Sequence, residues 1–121
     1  MGVQIANITF DCDDVLKVAS FWSLVLGRSM DKGATDIFAT IGVGDAARAE
    51  PAWFFNKVPE PKVVKNRVHI DINMPDAAEL ARLQHLGARV LHELRDAEGR
   101  VKWTIMADPE GNEFCAFPPQ A

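Results

Sequence analysis

The chain has 121 residues, which indicates one domain with room for a real hydrophobic core. Its 48% hydrophobic and 25% charged content is ordinary for a soluble globular protein, and a net charge of −4 argues against a nucleic-acid partner. No run approaches the ~20 apolar residues of a membrane span, and no basic-then-apolar leader opens the chain. Two cysteines, Cys12 and Cys115, are too few for a disulfide framework. We therefore expect a cytoplasmic protein with reduced, buried thiols.

The first half is predicted to begin with a strand over residues 3–12. Side chains alternate along it, with Asn7, Thr9 and Asp11 on the polar side and apolar residues on the other. Further strands are predicted over residues 28–32, 36–43 and 52–58. The loop at 44–50 is polar and rich in alanine, and its role as a lid stays open.

A helix is predicted over residues 15–26, between a capping Asp13 or Asp14 and Gly27. It is apolar nearly all round, so we expect it to be covered on more than one side. A thick core within the chain and a contact between subunits would each provide that cover.

Residues 59–66 (PEPKVVKN) link the two halves, and their two prolines keep the segment extended. Positive charge concentrates around this linker at Lys57, Lys62, Lys65 and Arg67. These side chains are interpreted either as an anion contact or as an ordinary solvated surface.

The second half begins with the stretch around which the chain is organised, a strand over residues 67–74 (RVHIDINM). Its polar side carries His69, Asp71 and Asn73, and its apolar side is expected to pack on a helix. A helix over 77–86 follows and ends at Gly87, and Pro75-Asp76 marks its start. The last three strands are predicted over residues 89–95, 101–107 and 113–117, with a tight turn at 108–112 (DPEGN) before the final strand.

Both halves therefore follow the order β-α-β-β-β, with Asn7 and His69 at matching positions. This duplication, the Leu-Gly helix ends and the DPEGNEF hairpin resemble the vicinal oxygen chelate superfamily, which includes glyoxalases, bleomycin-resistance proteins and extradiol dioxygenases. The resemblance implies an α+β fold in which two βαβββ units form a cup-shaped, eight-stranded sheet with helices outside. It implies one domain over 1–121, with unit one at about 1–58 and unit two at about 67–121.

The resemblance also implies positions where metal-dependent members hold a divalent ion with His, Glu or Gln. In this sequence those positions fall on Asn7, His69 and Cys115, and the fourth falls on Trp53 or Phe55, or on Phe54 if the strand register differs by one. Most of these side chains are poor ligands. We therefore expect no complete metal site and no cofactor, with His69 and Cys115, helped by Asp71 or Glu113, as the residues of a divalent site if one exists.

Without a metal, His69 is the strongest candidate for chemistry, because an imidazole exchanges protons near neutral pH. Asp71 could fix its tautomer or could be paired with a neighbouring cation. Glu113 is a second candidate acid or base, although a glutamate beside a turn is often only solvated. Cys115 would be a nucleophile only if a cation stabilised its thiolate; a buried small hydrophobe is the alternative.

The ligand itself is expected to be a small molecule, bound by polar and aromatic side chains. Its predicted contacts are Asn7, Thr9, Asp11, His69, Trp53, Phe55, Trp103 and Cys115. Inward-facing rings would suit a flat apolar ligand, although at least some of them must serve the core instead.

Three classes of function are compatible with the sequence. The first is a glyoxalase-like small-molecule-binding protein, serving in sequestration and resistance or as a metal-independent enzyme using His69 with Asp71 or Glu113. The second is a metal-dependent lyase, isomerase or dioxygenase, and the third is a dimerising module whose cavity is filled by its own side chains. A homodimer is expected from the apolar first helix and the two-unit length.

Overall fold

The computed structural model describes residues 2–45 and 50–119, which form two compact units, Met1–Pro61 and Lys62–Ala121. Most of the predicted 44–50 loop, residues 46–49, lies outside the described residues. Neither helix in the described ranges has the length and apolar character that crossing a membrane requires.

The first unit is a three-stranded sheet carrying one helix. Its elements are β1 (Asn7–Cys12), α1 (Val15–Leu26), β2 (Phe38–Ile41) and β3 (Ala52–Lys57), with the strand order β1-β3-β2. β1 runs parallel to β3, and β2 runs antiparallel to it. The strands are shorter than predicted at their ends, and these four elements follow one another in the predicted order.

The predicted strand over residues 28–32 is wrong, because only Met30 forms an isolated bridge, to Ile41. The amide of Arg28 still donates to the carbonyl of Ser23 and so belongs to the end of α1. Gly33, at φ 93°, then turns the chain away. Too few residues stay extended between these two constraints for a strand to form.

Helix α1 begins and ends where the sequence predicts. The carboxylate of Asp14 accepts a hydrogen bond from the amide of Lys17, and Gly27 adopts the left-handed conformation at φ 64°. Leu16 and Leu24 on this helix are 40% and 52% exposed, so the chain alone does not bury all of its apolar surface.

Aromatic side chains fill the core between α1 and the sheet. Phe10 of β1 lies 5.3 Å from the rings of both Trp53 and Phe55, and Trp22 of α1 lies 5.1 Å from Trp53. Such contacts add to the large apolar area that each ring buries. One face of the first sheet is therefore committed to packing against the helix.

The second unit has four strands and one helix: β4 (Ile70–Asn73), α2 (Glu79–Leu86), β5 (Arg89–Arg95), β6 (Val101–Ala107) and β7 (Glu113–Phe117). The strand order is β4-β7-β6-β5, with β4 parallel to β7 and the other pairs antiparallel. The predicted α+β fold built from two βαβββ-type units is confirmed. The described residues contain seven strands and one bridge rather than eight strands, and closure into a cup stays a prediction.

The turn between β6 and β7 is held by a buried carboxylate. Asp108 is 1% exposed and accepts hydrogen bonds from the amides of Glu110 and Asn112 and from the Asn112 side chain, each at 2.9 Å. Gly111 provides the positive φ that this turn needs. The turn fixes where β7 begins and thereby the position of Cys115.

Candidate functional site

The site residues of the second unit come together because β4 and β7 run parallel in a fixed register. Asp71 lies directly opposite Cys115, so their side chains leave the sheet on the same face. His69, immediately before β4, points the same way, with Nε2 3.3 Å from Oδ1 of Asp71. The potential donor atoms of these three residues all lie within 4.8 Å of one another.

The cluster is open to solvent on one side and closed on the other. The side chains of His69 and Asp71 are 44% and 51% exposed, whereas Cys115 is buried at 8%. A small molecule or an ion can therefore reach the imidazole and the carboxylate directly. The Cys115 thiol is buried beneath these two side chains.

The Cys115 thiol is held in its neutral form. Burial raises the pKa of Cys115, and the negative charge of Asp71 and the hydrogen bond between the two side chains raise it further; the charge of Lys65 acts in the opposite direction. A thiol that donates to a carboxylate is a poor nucleophile at neutral pH. The sequence predicts a reactive thiolate only where a cation lies beside the sulfur. Here the stronger charge effect on the sulfur comes from the anionic Asp71.

Glu113 shares the strand face of Cys115, but its carboxylate serves another purpose. It accepts a hydrogen bond from the amide of Asn66 at 2.9 Å, and one of its oxygens lies 3.2 Å from Nζ of Lys62. The Asn66 side chain also donates to the Glu113 carbonyl. These contacts hold residues 62–66 against β7. The Glu113 carboxylate is therefore not simply solvated, and its oxygens already have partners that an acid or base would have to give up.

Substitution of Glu113 by glutamine is expected to remove a pH-dependent part of the stability. Desolvation opposes ionisation of this carboxyl, but the Asn66 amide and the Lys62 ammonium outweigh it and hold the pKa of Glu113 below its ordinary value. The stabilisation is therefore fully present above the unfolded-state pKa of about 4.3 and is lost as the pH falls through the lower folded-state pKa. Urea unfolding at neutral pH and at about pH 3 measures how much stability acidification removes. Glu113→Gln should lose less stability between these two pH values than the wild type does.

Glu98 is exposed, so Glu98→Gln is the matched control. Its loss of stability between neutral pH and about pH 3 should equal that of the wild type. If Glu113→Gln and the wild type lose the same stability on acidification, the Lys62–Glu113–Asn66 connection does not stabilise the fold through the ionised carboxylate.

An aromatic pair borders the cluster on the same face. Phe117 follows Cys115 along β7, and the ring of Trp103 on β6 lies 5.9 Å from it in an edge-to-face arrangement. Nζ of Lys102 lies 5.3 Å from the Trp103 ring centre. The predicted ligand contacts His69, Trp103 and Cys115 thus lie on one face of a single sheet.

The first unit confirms only part of the predicted polar face. Nδ2 of Asn7 donates to the hydroxyl of Thr9 at 2.8 Å, and Asp11, two residues farther along, is exposed. Across the sheet these positions pair with Ala52, Phe54 and Asn56.

The placement of Trp53 and Phe55 as ligand contacts beside Asn7 is wrong. Trp53 pairs with Ile8 and Phe55 with Phe10, so both rings lie on the helix-facing side, at 5% and 0% exposure. Phe54, the one-residue alternative, occupies the polar face. Three consecutive aromatic residues carry no alternation, and only the apolar partners on β1 could have indicated the register.

The sequence profile of the glyoxalase-like domain matches residues 7–117. The chain belongs to the glyoxalase-like domain family. The predicted resemblance to the vicinal oxygen chelate superfamily is thereby confirmed. A search of curated protein sequences finds no match.

Solved structures similar to this glyoxalase-like chain share its fold at low sequence identity. The fosfomycin resistance protein FosX from Listeria monocytogenes, an E126Q mutant complexed with Mn(II) and 1S,2S-dihydroxypropylphosphonic acid, superposes with a TM-score of 0.74 at 14% identity, covering 99% of this chain and 93% of FosX. A glyoxalase/bleomycin resistance protein/dioxygenase family enzyme from Burkholderia phytofirmans gives 0.67 at 15%, covering 94% and 97%. A possible glyoxalase from Bacillus cereus gives 0.67 at 16%, covering 96% and 99%.

The glyoxalase-like chain brings together three potential metal-ligating atoms, and all three residues are among those predicted from the sequence for a divalent site. His69 and Cys115 were the two expected donors, and Asp71, not Glu113, adds the third. Nitrogen, oxygen and sulfur donors at these separations fit a divalent cation with an open coordination position. No sequence pattern required Asp71 to face Cys115, because that contact depends on the parallel pairing of β4 with β7.

Proposed function

We propose that this glyoxalase-like protein binds a small molecule over the open face of the second sheet. The observation that carries the proposal is the exposed His69–Asp71 pair, seated on Cys115 and bordered by Trp103 and Phe117 on the same face. Small-molecule sites combine apolar and aromatic surface with a few convergent polar groups, and this face has both.

The chemistry of the face defines the ligand. Trp103 offers a flat ring surface for an apolar or aromatic portion, while His69 offers a nitrogen that donates or accepts a hydrogen bond. The carboxylate of Asp71 lies 3.3 Å from Nε2 of His69, where it favours one orientation of the imidazole. Binding alone would suffice for sequestration; a metal-independent enzyme would use His69 as the proton-transfer group and Asp71 to hold its orientation.

A metal-dependent lyase, isomerase or dioxygenase is the second candidate, and the three-donor cluster favours it. His69, Asp71 and Cys115 would hold the cation. When bound, such a cation supplies Lewis-acid polarisation of a ligand oxygen. The same exposed face would receive the ligand in either case.

Ligand binding is expected to quench the fluorescence of Trp103. Of the three tryptophans, Trp22 and Trp53 are buried and Trp103 is half-buried, so a change in emission reports on this face. We would titrate the protein with flat aromatic and antibiotic-like compounds, and confirm hits by thermal shift, since a ligand of the folded state raises the melting temperature.

We expect His69→Ala to weaken the binding of a hit at least about tenfold, which corresponds to the loss of one good hydrogen bond. His85→Ala, which removes an exposed histidine on α2, is the control and should bind as the wild type does. Equal affinity for wild type and His69→Ala would place the ligand elsewhere and contradict the proposal.

We also propose that the protein is a homodimer in which α1 contributes to the contact. The exposed Leu16 and Leu24 would gain apolar burial there. Light scattering should give about twice the monomer mass of 13.3 kDa. A concentration-independent mass equal to that of the monomer would reject the dimer.

A further inference from the structure

The three donors of the cluster differ in chemical softness, and this difference discriminates between cations. Asp71 provides a hard oxygen, His69 a nitrogen of intermediate character and Cys115 a soft sulfur. Carboxylate, carbonyl and water ligands suit Mn²⁺ and Mg²⁺, whereas thiolate and imidazole ligands suit Zn²⁺ and related ions. The set found here has only one oxygen.

We infer that His69, Asp71 and Cys115 form a thiolate-containing site that takes a zinc-class cation in preference to Mn²⁺. The inference deepens the second candidate function and rests on the same face of the second sheet. The proposed cation differs from the Mn(II) present in the solved structure of FosX. The difference follows from the residues of this chain, above all from the sulfur at position 115.

The geometry requires only a small contraction of the cluster. Bond lengths of 2.0–2.3 Å at a tetrahedral zinc place neighbouring ligand atoms about 3.5 Å apart. Nε2 of His69 and Oδ1 of Asp71 are already 3.3 Å apart, and the widest separation in the cluster is within 4.8 Å. Movement of about 1 Å by exposed side chains is therefore sufficient.

The arrangement also leaves the fourth position open. Three protein ligands with one exchangeable position are typical of a catalytic rather than a structural zinc site. The exposure of His69 and Asp71 provides the path by which an ion enters and by which a ligand oxygen reaches it. On binding, the Cys115 S–H bond breaks, its proton passes to solvent and the sulfur lone pair forms the bond to the metal.

The test uses the full chain, cleared of metal with a chelator and then titrated with Zn²⁺, Mn²⁺ and Co²⁺ separately. Calorimetry should give one Zn²⁺ per chain, with an affinity at least tenfold above that for Mn²⁺. Co²⁺ should produce the intense near-ultraviolet absorption of a sulfur-to-metal charge transfer, which reports a thiolate ligand independently of any enzyme activity.

Two cysteine variants make the result specific. Cys115→Ser should abolish the charge-transfer band and weaken Zn²⁺ binding by more than the roughly 10–100-fold that loss of an outer-shell partner costs. Cys12→Ser removes the chain's other buried thiol, which lies in the first unit. It should leave the charge-transfer band and the Zn²⁺ affinity unchanged. Asp71→Asn should weaken Zn²⁺ binding while retaining the band.

Three results would overturn the inference: the absence of stoichiometric Zn²⁺ binding, binding of Mn²⁺ as tight as that of Zn²⁺, or a charge-transfer band that survives Cys115→Ser. Even if the cation site fails these tests, the proposed small-molecule function stands when an organic ligand binds the metal-free protein and His69→Ala loses that binding. Failure of the cation site and failure of the ligand site are therefore separable.

Discussion

Asp108→Ala is expected to destabilise the protein by about 2–4 kcal/mol, because three hydrogen-bond donors lose their buried acceptor at once. The amides of Glu110 and Asn112 and the side chain of Asn112 all donate to this carboxylate, which is 1% exposed. Water cannot replace the lost acceptor without entering the turn. Urea unfolding of the variant measures the change.

The protein contains a matched control for this substitution. Asp96 accepts from the amides of Glu98 and Arg100 and from the Arg100 side chain, which repeats the spacing of the Asp108 turn on an exposed hairpin. Asp96→Ala should therefore cost far less, since water replaces the carboxylate there. If the two variants lose equal stability, the burial of Asp108 is not the cause of its importance.

Phe55→Ala is expected to cost about 3–5 kcal/mol, the usual effect of removing a fully buried ring. The ring is 0% exposed and lies 5.3 Å from that of Phe10. The neighbouring Phe54→Ala should cost about 1 kcal/mol, because Phe54 lies on the opposite face and makes an edge-to-face contact at 5.4 Å with the exposed Phe38.

This pair of variants tests the register of β3 directly. A larger loss of stability for Phe54→Ala than for Phe55→Ala would reverse the two faces of the first sheet. It would also restore Trp53 and Phe55 as candidates for contact with a ligand, as the sequence alone suggested.

The elements best predicted from sequence are those with strong terminal signals. Helix α1 lies between Asp14 and Gly27 as expected, and β5, β6 and β7 have the predicted bounds. A capping carboxylate and a left-handed glycine act within a few residues, so a local pattern is enough to place them. The duplication then indicated the order of elements in both units.

Features that depend on distant residues were predicted less well. Glu113 was expected to face solvent or to act as an acid or base, but Lys62 and Asn66, about 50 residues earlier, occupy its oxygens. The expected strand at 67–74 begins only at Ile70, after the segment that Glu113 holds. No local pattern encodes such a contact, because it requires the pairing of β4 with β7.

The site illustrates the same division. Alternation along the second half placed His69 and Asp71 on one strand face, and their 3.3 Å contact agrees with that prediction. The addition of Cys115 to this pair depends on the parallel register. The pKa of its thiol is raised first by burial and then by the nearby carboxylate of Asp71, a contact that the sequence alone did not establish.

The most direct test of the central claim, that one open face of the second sheet is the binding site, is NMR of the three histidine rings during titration with a ligand found by fluorescence. We predict that the ring signals of His69 shift in proportion to occupancy, together with the indole N–H of Trp103, while those of His85 on α2 stay in place. A shift of the His85 signals with His69 and Trp103 unaffected would contradict this claim.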